Sequence, residues 1–429
     1  MARQMKDSGV EWIGEMPVEW SKDKLCRVCS LIGSGTTPKF DRFDLSSAKI
    51  PWIQSGDLST AYIYRTKTNV TRDIIESHSA LKVYEAPFIV VAMYGASIGN
   101  TSISNIDACV NQACCVLAPR KSNLRYLYYA ITACKPYFMY QGEGGGQPNI
   151  SQEKIRQTRI PLPNLLEQQE ISIRLDTKCA EIDKVVEQTR ATIEEYKKLK
   201  QAIITEAVTK GVRGARPMKP SGVEWIGDIP EDWSMKRFKY LGIYRNGLTY
   251  KPEDMVDMGT LVLRSSNIQN GQIVLDDNVY VSCAVRDELK VRKGDILICS
   301  RNGSRELIGK NAIIKDDMDA SFGAFMMIFR SDSPEYVRYI LNSSVFSYYL
   351  ASFFTATINQ LTASNFGNMK VPFCCDLIEQ KEIVAFLDTK CAEIDRIIEK
   401  KEQLIEKLGS YKKSLIYEYV TGKKEVTQK

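Results

Sequence analysis

The 429-residue sequence predicts an α+β protein in which two α/β domains, arranged as a pseudo-two-fold tandem repeat, are joined by two long antiparallel coiled-coil helices. Three observations predict this architecture. Motifs at the beginning and end of one half of the chain return about 212 residues later in the other half. Each half ends in a proline-free run with helical spacing of its apolar residues. Between these features lie short β-rich runs separated by Gly, Asn and Ser turns.

Three short motifs define the repeat. They are "SGVEWIG" at 8–14 and 221–227, "EQQEI" at 167–171 with "EQKEI" at 379–383, and "DTKCAEID" at 176–183 and 388–395. The roughly 130 residues between the opening and closing motifs of each half hardly match. A similar scaffold with divergent content indicates two modules that do the same kind of job on different targets.

The last quarter of each half reads as a long helix. Apolar residues recur at spacings of three, four or seven from Glu167 to about Val208 and from Glu379 to about Val420. Forty residues at about 1.5 Å each give a rod of roughly 60 Å. A lone amphipathic helix of that length needs a partner, so we expect one helix from each half to pair antiparallel. The second helix is preceded by "VPFC" rather than "IPLP", and we expect its start to be less sharply set.

The divergent middles alternate strand-like and helix-like runs. The strand-like runs are rich in β-branched residues and lie at Phe88–Tyr94, Thr260–Ser266 and Asp295–Arg301. Aromatic-rich runs at Leu124–Tyr140 and Pro334–Phe354 each predict one helix. Each middle is therefore predicted to be an α/β module.

Composition excludes several classes of protein. At 44% hydrophobic and 26% charged residues the chain is ordinary for a soluble protein, and no apolar run is long enough to span a bilayer. With no apolar segment near the N-terminus, we expect a cytoplasmic location and no membrane contact. His78 is the only histidine, which argues against His-based metal sites and Ser-His-Asp triads.

The twelve cysteines favour a structural role. Only Cys26 and Cys29 form a C-x-x-C pair, and no second pair follows at zinc-ligand distance. The vicinal pairs at 114–115 and 374–375 lie in apolar runs, which predicts reduced thiols in the core.

Motifs for catalysis are missing from the sequence. "GSRELIGKN" at 303–311 has five residues between its glycines and ends in Asn, so it does not satisfy the pattern of a phosphate-binding loop. The N/D-P-P-Y/F tetrapeptide of amino-methyltransferases is absent as well. We therefore expect no catalytic residues, no cofactor site and no metal site.

Charge is distributed unevenly along the chain. Lys plus Arg exceed Asp plus Glu by 19 to 14 in residues 1–163 and by 19 to 18 in 214–375, whereas 164–213 and 376–429 are balanced at 9 to 9 and 11 to 11. The net charge of +6 therefore lies in the divergent modules. A mild positive bias there is compatible with nucleic acid, while balanced helices suit solvent or protein partners.

This arrangement of motifs resembles the specificity subunit of type I restriction–modification systems. "SGVEWIG" opening each half, "IPLPNLLEQQEI" leading into the first helix and "DTKCAEID" within both helices carry the resemblance, which covers essentially the whole chain. The resemblance implies target recognition domains at 1–163 and 214–375, a central conserved helical spacer at 164–213 and a second one at 376–429.

The same resemblance implies a function. Each recognition domain would read one half of a bipartite, asymmetric site in double-stranded DNA, and the helices would set the spacing and dock two methyltransferase subunits. Those partners would methylate adenine N6, and motor subunits, where a system has them, would use ATP to cut unmethylated DNA. The chain itself would be a non-catalytic specificity subunit in phage defence. Major-groove sites on one face of DNA recur about every 34–36 Å, so a rod of roughly 60 Å can hold two readers one turn apart.

Loop residues at strand ends are the candidates for base contacts, because Arg and Lys can bind guanine edges and Asn and Gln adenine edges. The candidates are Ser34, Thr36, Thr37, Lys39, Ser55, Tyr94, Ser97, Gln141 and Gln147 in the first module, and Asn246, Thr249, Lys251, Arg264, Ser266, Asn267, Arg301, Asn302, Asn359 and Gln360 in the second. "SGVEWIG" is excluded because specificity contacts ought to differ between modules. Its tryptophans, with those that follow at Trp20 and Trp233, are interpreted as packing anchors.

Two other functions stay open from the sequence. A tandem binding or scaffold protein that does not bind DNA would also explain the repeat and the helices, and the modest charge permits it. A self-contained restriction–modification enzyme would need a methyltransferase or nuclease motif, which we do not find.

Overall fold

The computed structural model describes residues 3–38, 48–143, 148–353 and 360–426. The chain divides into two compact units, residues 1–189 with 403–429 and residues 190–402. Each unit contains one divergent module and a part of each long helix. No helix in the described ranges is long and apolar enough to cross a membrane.

The first unit is built on short strands with helices between them. Its strands are β1 Met5–Asp7, β2 Glu15–Pro17, β3 Ser21–Lys24, β4 Cys29–Ser34, β5 Ile50–Ile53, β6 Tyr62–Ile63, β7 Thr68–Val70, β8 Phe88–Ala92, β9 Thr101–Ser104, β10 Cys109–Val110, β11 Cys114–Pro119 and β12 Arg159–Leu162. Its helices are α1 Leu25–Val28, α2 Arg72–Ser77, α3 Leu124–Ala133, α4 Lys135–Tyr140, α5 Gln152–Gln157 and the first part of α6, Leu165–Lys210.

The second unit is also built on short strands with helices between them. Its strands are β13 Met218–Pro220, β14 Asp228–Pro230, β15 Ser234–Arg237, β16 Ile243–Asn246, β17 Met255–Val256, β18 Thr260–Leu263, β19 Ile268–Gln269, β20 Gln272–Ile273, β21 Tyr280–Val281, β22 Ile296–Cys299, β23 Asn311–Ile313, β24 Ala320–Phe322, β25 Met326–Arg330 and β26 Lys370–Phe373. Its helices are α7 Pro334–Leu341, α8 Ser344–Phe353, α9 Ala363–Asn368 and the first part of α10, Leu377–Val420.

The two divergent modules share one sheet topology. Four antiparallel strands follow the order β4-β11-β8-β9 in the first unit and β16-β25-β22-β23 in the second. A parallel pair lies beside each sheet, β5 with β10 and β18 with β24. Since the modules hardly match in sequence, one fold carries two different sets of loop side chains.

"SGVEWIG" forms a tight turn between two short strands in each unit. Gly9 and Gly14 have φ values of +60° and +65°, and Gly222 and Gly227 both have +73°. Glycine populates this left-handed backbone without the strain that a Cβ brings. In the first unit the turn is closed by the N–H of Ser8, which donates to the carbonyl of Gly14. The identity of the two copies thus reflects a backbone requirement.

The tryptophan that follows each turn is held by an arginine and a glutamate. In the first unit, the indole N–H of Trp20 donates to Glu167 at 2.9 Å, and Arg3 lies over the ring and pairs with Glu167 at 2.7 Å. The second unit repeats this cluster with Trp233, Glu379 and Arg216.

Both buried tryptophans pack in the main core of their unit, whereas Trp12 and Trp225 are half-buried. Because the glutamates open the repeated "EQQEI" and "EQKEI" motifs, each cluster joins a module to the start of its long helix.

The two aspartates of "DTKCAEID" make matching contacts in both units. In the first unit, Asp176 accepts a hydrogen bond from Tyr129 at 2.9 Å, and Asp183 pairs with Lys412 on α10 at 2.6 Å. The first aspartate therefore joins the module to the helix, and the second joins the two helix segments.

The second unit repeats both contacts. Asp388 accepts from Tyr339 at 2.5 Å, and Asp395 pairs with Lys200 at 2.6 Å. Within each unit the helix segments run antiparallel, as the sequence predicted.

Three local expectations were wrong. Each aromatic-rich run forms two helices, broken before Lys135-Pro136 in the first unit, where proline at the second helical position begins a new helix. The second long helix starts as sharply as the first, because Asp376 caps it by accepting from the N–H of Ile378 at 2.9 Å. Cys375 is exposed beside the buried Cys374, so only one of these two thiols belongs to the core.

Candidate nucleic-acid interface

Several loops of the first unit meet at one edge of its sheet. The carbonyl of Ile53 accepts from the N–H of Asn111 at 3.0 Å, and the carbonyl of Ala113 accepts from Met93 at 2.8 Å. Tyr94 forms an isolated β-bridge with Asn149. We call this surface the first loop edge, and its residues are 34–38, 54–57, 93–97, 111–113, 141–143 and 148–149.

Equivalent loops meet in the second unit through equivalent bonds. The N–H of Gly323 donates to Leu263 at 2.9 Å, and the N–H of Ser300 donates to Phe325 at 2.9 Å. Arg301 bridges to Gln360 as Tyr94 bridges to Asn149. This second loop edge consists of residues 246–251, 264–267, 300–305, 323–325 and 360.

Most candidates of the first unit that the structure describes lie on the first loop edge. Thr37 and Tyr94 are exposed, and the others are half-buried there; these are Ser34, Thr36, Ser55, Ser97 and Gln141. The Ser34 hydroxyl donates to the carbonyl of Cys114 at 2.8 Å, which favours a structural role for it. Lys39 and Gln147 lie outside the described residues.

The second loop edge likewise gathers the candidates of the second module. Those with exposed side chains are Asn246, Thr249, Lys251 and Arg301, and the half-buried ones are Asn302 and Gln360. The amide of Asn302 donates to the hydroxyl of Ser265 at 3.3 Å, so this asparagine links two loops. Asn359 lies outside the described residues.

Three other candidates of the second module are less available for a ligand: Asn267 and Arg264 make contacts within the module, and the hydroxyl of Ser266 is buried without a hydrogen-bond partner among the described residues. Asn267 is buried, and its side-chain oxygen accepts from the N–H of Arg264 at 2.8 Å, closing the turn after β18. The guanidinium of Arg264 pairs with Asp277 at 2.7 Å. A polar residue at a strand end can cap a turn as readily as it can bind a ligand.

Sequence reasoning missed the turn that precedes β11 and β25. Gln112 is exposed in this turn on the first loop edge, and Phe325, one position further along the equivalent turn, is 56% exposed on the second. Both residues lie in a three-residue connection between short apolar runs, "CVNQACCV" and "ASFGAFMM". That strand-turn-strand pattern was the signal that could have found them.

Burial raises the pKa of the thiols nearest this surface. The pKa of Cys109 and that of Cys115 are each raised to about 12, chiefly because burial disfavours the thiolate. Both are therefore protonated at neutral pH and act as small apolar residues. No group of three or more potential metal ligands occurs in the described ranges.

The two loop edges offer hydrogen-bonding and aromatic side chains on one shared framework. Their chemistry suits recognition: amides and hydroxyls can bind base edges, and a guanidinium can bind guanine or phosphate. The first edge presents Tyr94 where the second presents Arg301, so the same framework carries different chemistry in each unit.

The sequence matches one known family model in both halves of the chain. The profile of the type I restriction modification DNA specificity domain matches residues 17–195 and again 230–407. The specificity subunit of the type I restriction enzyme StySPI from Salmonella potsdam is 30% identical over 205 residues, which cover 46% of this chain and 44% of that protein. The chain thus matches less than half the length of that relative.

Two further similarities extend over more of the chain. The MjaVIII specificity subunit from Methanocaldococcus jannaschii is 27% identical over 313 residues, covering 70% of this chain and 69% of that protein. A solved chain from a study of complex assembly and conformational transition of the type I restriction–modification system superposes with a TM-score of 0.70 at 15% identity, over 94% of this chain and 98% of that one. This structural likeness shows a shared fold.

Proposed function

Because the chain belongs to the type I restriction–modification DNA specificity family, with the family's domain present in both halves, we propose that each loop edge binds one half of a bipartite DNA site. The observation that supports this most directly is one topology carrying different loop side chains in the two units. The half-sites should therefore differ, and the full site should be asymmetric. For the remaining candidate residues on both loop edges, contacts with bases or phosphates stay predictions.

The long helices are proposed to set the number of unread base pairs between the half-sites. Helix α6 has 46 residues and is continuous from one unit into the other, a length of roughly 70 Å at 1.5 Å per residue. Asp176 and Asp388 tie each module to its helix. A module held in this way cannot shift along the helix without breaking a charged hydrogen bond, so spacing should be constant.

A pair of exposed apolar residues at the start of each helix supports docking of a partner present in two copies. Leu165 and Leu166 are 62% and 68% exposed, and Leu377 and Ile378 at the matching positions are 61% and 67% exposed. Exposed apolar pairs that recur in both halves favour a repeated protein contact. We propose two methyltransferase subunits as the occupants, which would supply adenine-N6 methylation, with motor subunits added in systems that cleave.

The chain would then act in the cytoplasm as a non-catalytic specificity subunit for double-stranded DNA. Co-expression with the cognate methyltransferase subunit, followed by genome-wide mapping of adenine methylation, tests this function. We expect one asymmetric motif with two specified halves and a constant run of unspecified bases. A continuous motif, or no sequence-dependent methylation or DNA binding, would instead support the scaffold interpretation.

Docking is tested separately from DNA binding. Leu165→Asp combined with Leu377→Asp places charges in both apolar pairs, and we expect co-purification of the methyltransferase subunit to fall. Gln169→Asp, on an exposed position four residues after Leu165, is the matched control and should retain the partner. Equal retention by both variants would exclude these pairs from the docking surface.

A further inference from the structure

Arg301 holds an unusual position on the second loop edge. It lies two residues after the end of β22, and its N–H donates to the carbonyl of Phe325 at 3.1 Å. The central carbon of its guanidinium lies 5.0 Å from the centre of the Phe325 ring. Phe325 is itself 56% exposed, so this cation–π pair faces solvent on a surface that otherwise carries polar side chains.

Neighbouring arginines of the second unit are engaged differently. Arg264 pairs with Asp277 at 2.7 Å, and Arg245 pairs with Glu288 at 3.0 Å. Across residues 3–38, 48–143, 148–353 and 360–426, no carboxylate lies within ion-pair distance of Arg301. Among the residues that the structure describes, its charge therefore lies against an aromatic ring and has no acidic partner.

A cation–π contact with an aromatic ring restricts the position of a guanidinium while leaving its N–H groups able to donate. Two parallel N–H groups match the O6 and N7 acceptors of guanine in the major groove. We infer that Arg301, oriented by Phe325, reads one guanine in the half-site bound by the second unit. This inference rests on the proposed function and names one base of that site.

The first unit has different residues at the positions that match Arg301 and Phe325. Tyr94 occupies the place of Arg301, as the matching β-bridges to Asn149 and Gln360 show, and Ala113 stands where Phe325 stands. The first loop edge thus has neither the guanidinium fork nor its aromatic support at this position. Substitutions at Tyr94 should affect the other half-site only, which makes Tyr94→Ala the matched control.

Replacement of single guanines by 7-deazaguanine tests the contact. The analogue lacks the N7 acceptor but keeps Watson–Crick pairing. Methylation rates are measured with the complete complex of this chain and its methyltransferase subunits, on duplexes carrying the analogue at each specified guanine in turn. For the wild-type chain we expect one guanine of one half-site to show a rate loss of about ten- to a hundredfold.

Substitutions in the chain then show whether Arg301 is the residue that contacts that guanine. Arg301→Met keeps an unbranched side chain but removes every donor, so we expect it to tolerate the analogue and other bases at that position. Phe325→Ala should do the same to a smaller extent, because the guanidinium loses its support. Selectivity at the opposite half-site should stay unchanged in both, which also shows that they fold. Tyr94→Ala should show the reverse pattern.

Three results would overturn the inference. One is a wild-type complex that tolerates 7-deazaguanine at every position. The second is an Arg301→Met variant that keeps full sensitivity to the analogue. The third is a uniform rate loss in Arg301→Ala with unchanged base preference and full rescue by lysine, which would identify a phosphate contact. All three leave the bipartite motif intact, whereas failure of the proposed function would remove the motif itself.

Discussion

Truncation of Glu379 tests the idea that the repeated Arg–Trp–Glu cluster holds each module on its helix. The Glu379 carboxylate is fully buried, pairs with Arg216 at 2.7 Å and accepts from the Trp233 indole at 3.4 Å. In Glu379→Ala the Arg216 side chain, 15% exposed, keeps the exposed Asp232 at 3.9 Å as a carboxylate partner and its hydrogen bond to the carbonyl of Lys210 at 3.2 Å.

The size of the effect follows from this burial. Removal of one partner from a buried ion pair costs about 3–5 kcal/mol, and the remaining exposure of Arg216 favours the lower end. A loss of about 3 kcal/mol corresponds to roughly a hundredfold increase in local opening. Glu167, 20% exposed in the matching cluster, should lose less on truncation, about 1–2 kcal/mol.

Hydrogen exchange with mass spectrometry measures this opening region by region in the complex with methyltransferase subunits. We expect exchange in residues 214–241 to accelerate about a hundredfold in Glu379→Ala. Glu382→Ala is the control, since that side chain is 44% exposed and pairs with Arg213 on the surface, an interaction worth at most about 1 kcal/mol. Equal exchange in the two variants would refute the role of the cluster.

Other predictions follow from the helix contacts and the thiols. Tyr129→Phe removes the hydroxyl that donates to Asp176, and we expect a loss of about 1–2 kcal/mol in the first unit by the same exchange measurement; no change would contradict the tie. Lys412→Ala removes an exposed ion pair between helix segments and should cost less than about 1 kcal/mol, and a larger loss would contradict the surface assignment. Iodoacetamide at pH 8 should label the exposed Cys375 in the native protein and spare Cys374, whose pKa is raised to about 12 by burial; labelling of both would contradict the packing.

The long helices could be predicted from sequence because helical periodicity is a local signal that persists over forty residues. Their ends were less predictable, since the second helix is capped by Asp376 rather than introduced by proline. The likeness of the two modules was predicted from the repeat, but the strand pairings that they share were not predictable. The parallel pairing of Trp52 with Cys109, for example, joins residues far apart in sequence, and nothing in the local pattern marks them as partners.

The residues of the loop edges could be predicted only in part, because the sequence marks some strand ends clearly but does not show which side chains face solvent. Arg301 was found because it follows a clear strand, whereas Phe325 was missed because a lone aromatic residue in a turn gives no local sign of exposure. Asn267 shows the opposite case, a polar side chain at a strand end that is buried as a turn cap. Whether such a residue faces inward depends on the packing of β18 against its neighbours, which the sequence does not display.

Exchange of one module for the other tests the central claim most directly. Residues 234–373, from β15 to β26, are replaced by residues 21–162, from β3 to β12, and the adenine methylation made by the resulting complex is mapped. If each unit reads its own half-site and the helices set the spacing, the new motif should contain two copies of the first half-site separated by the original number of unread bases. A motif that keeps the original second half-site, or one with altered spacing, would contradict the account.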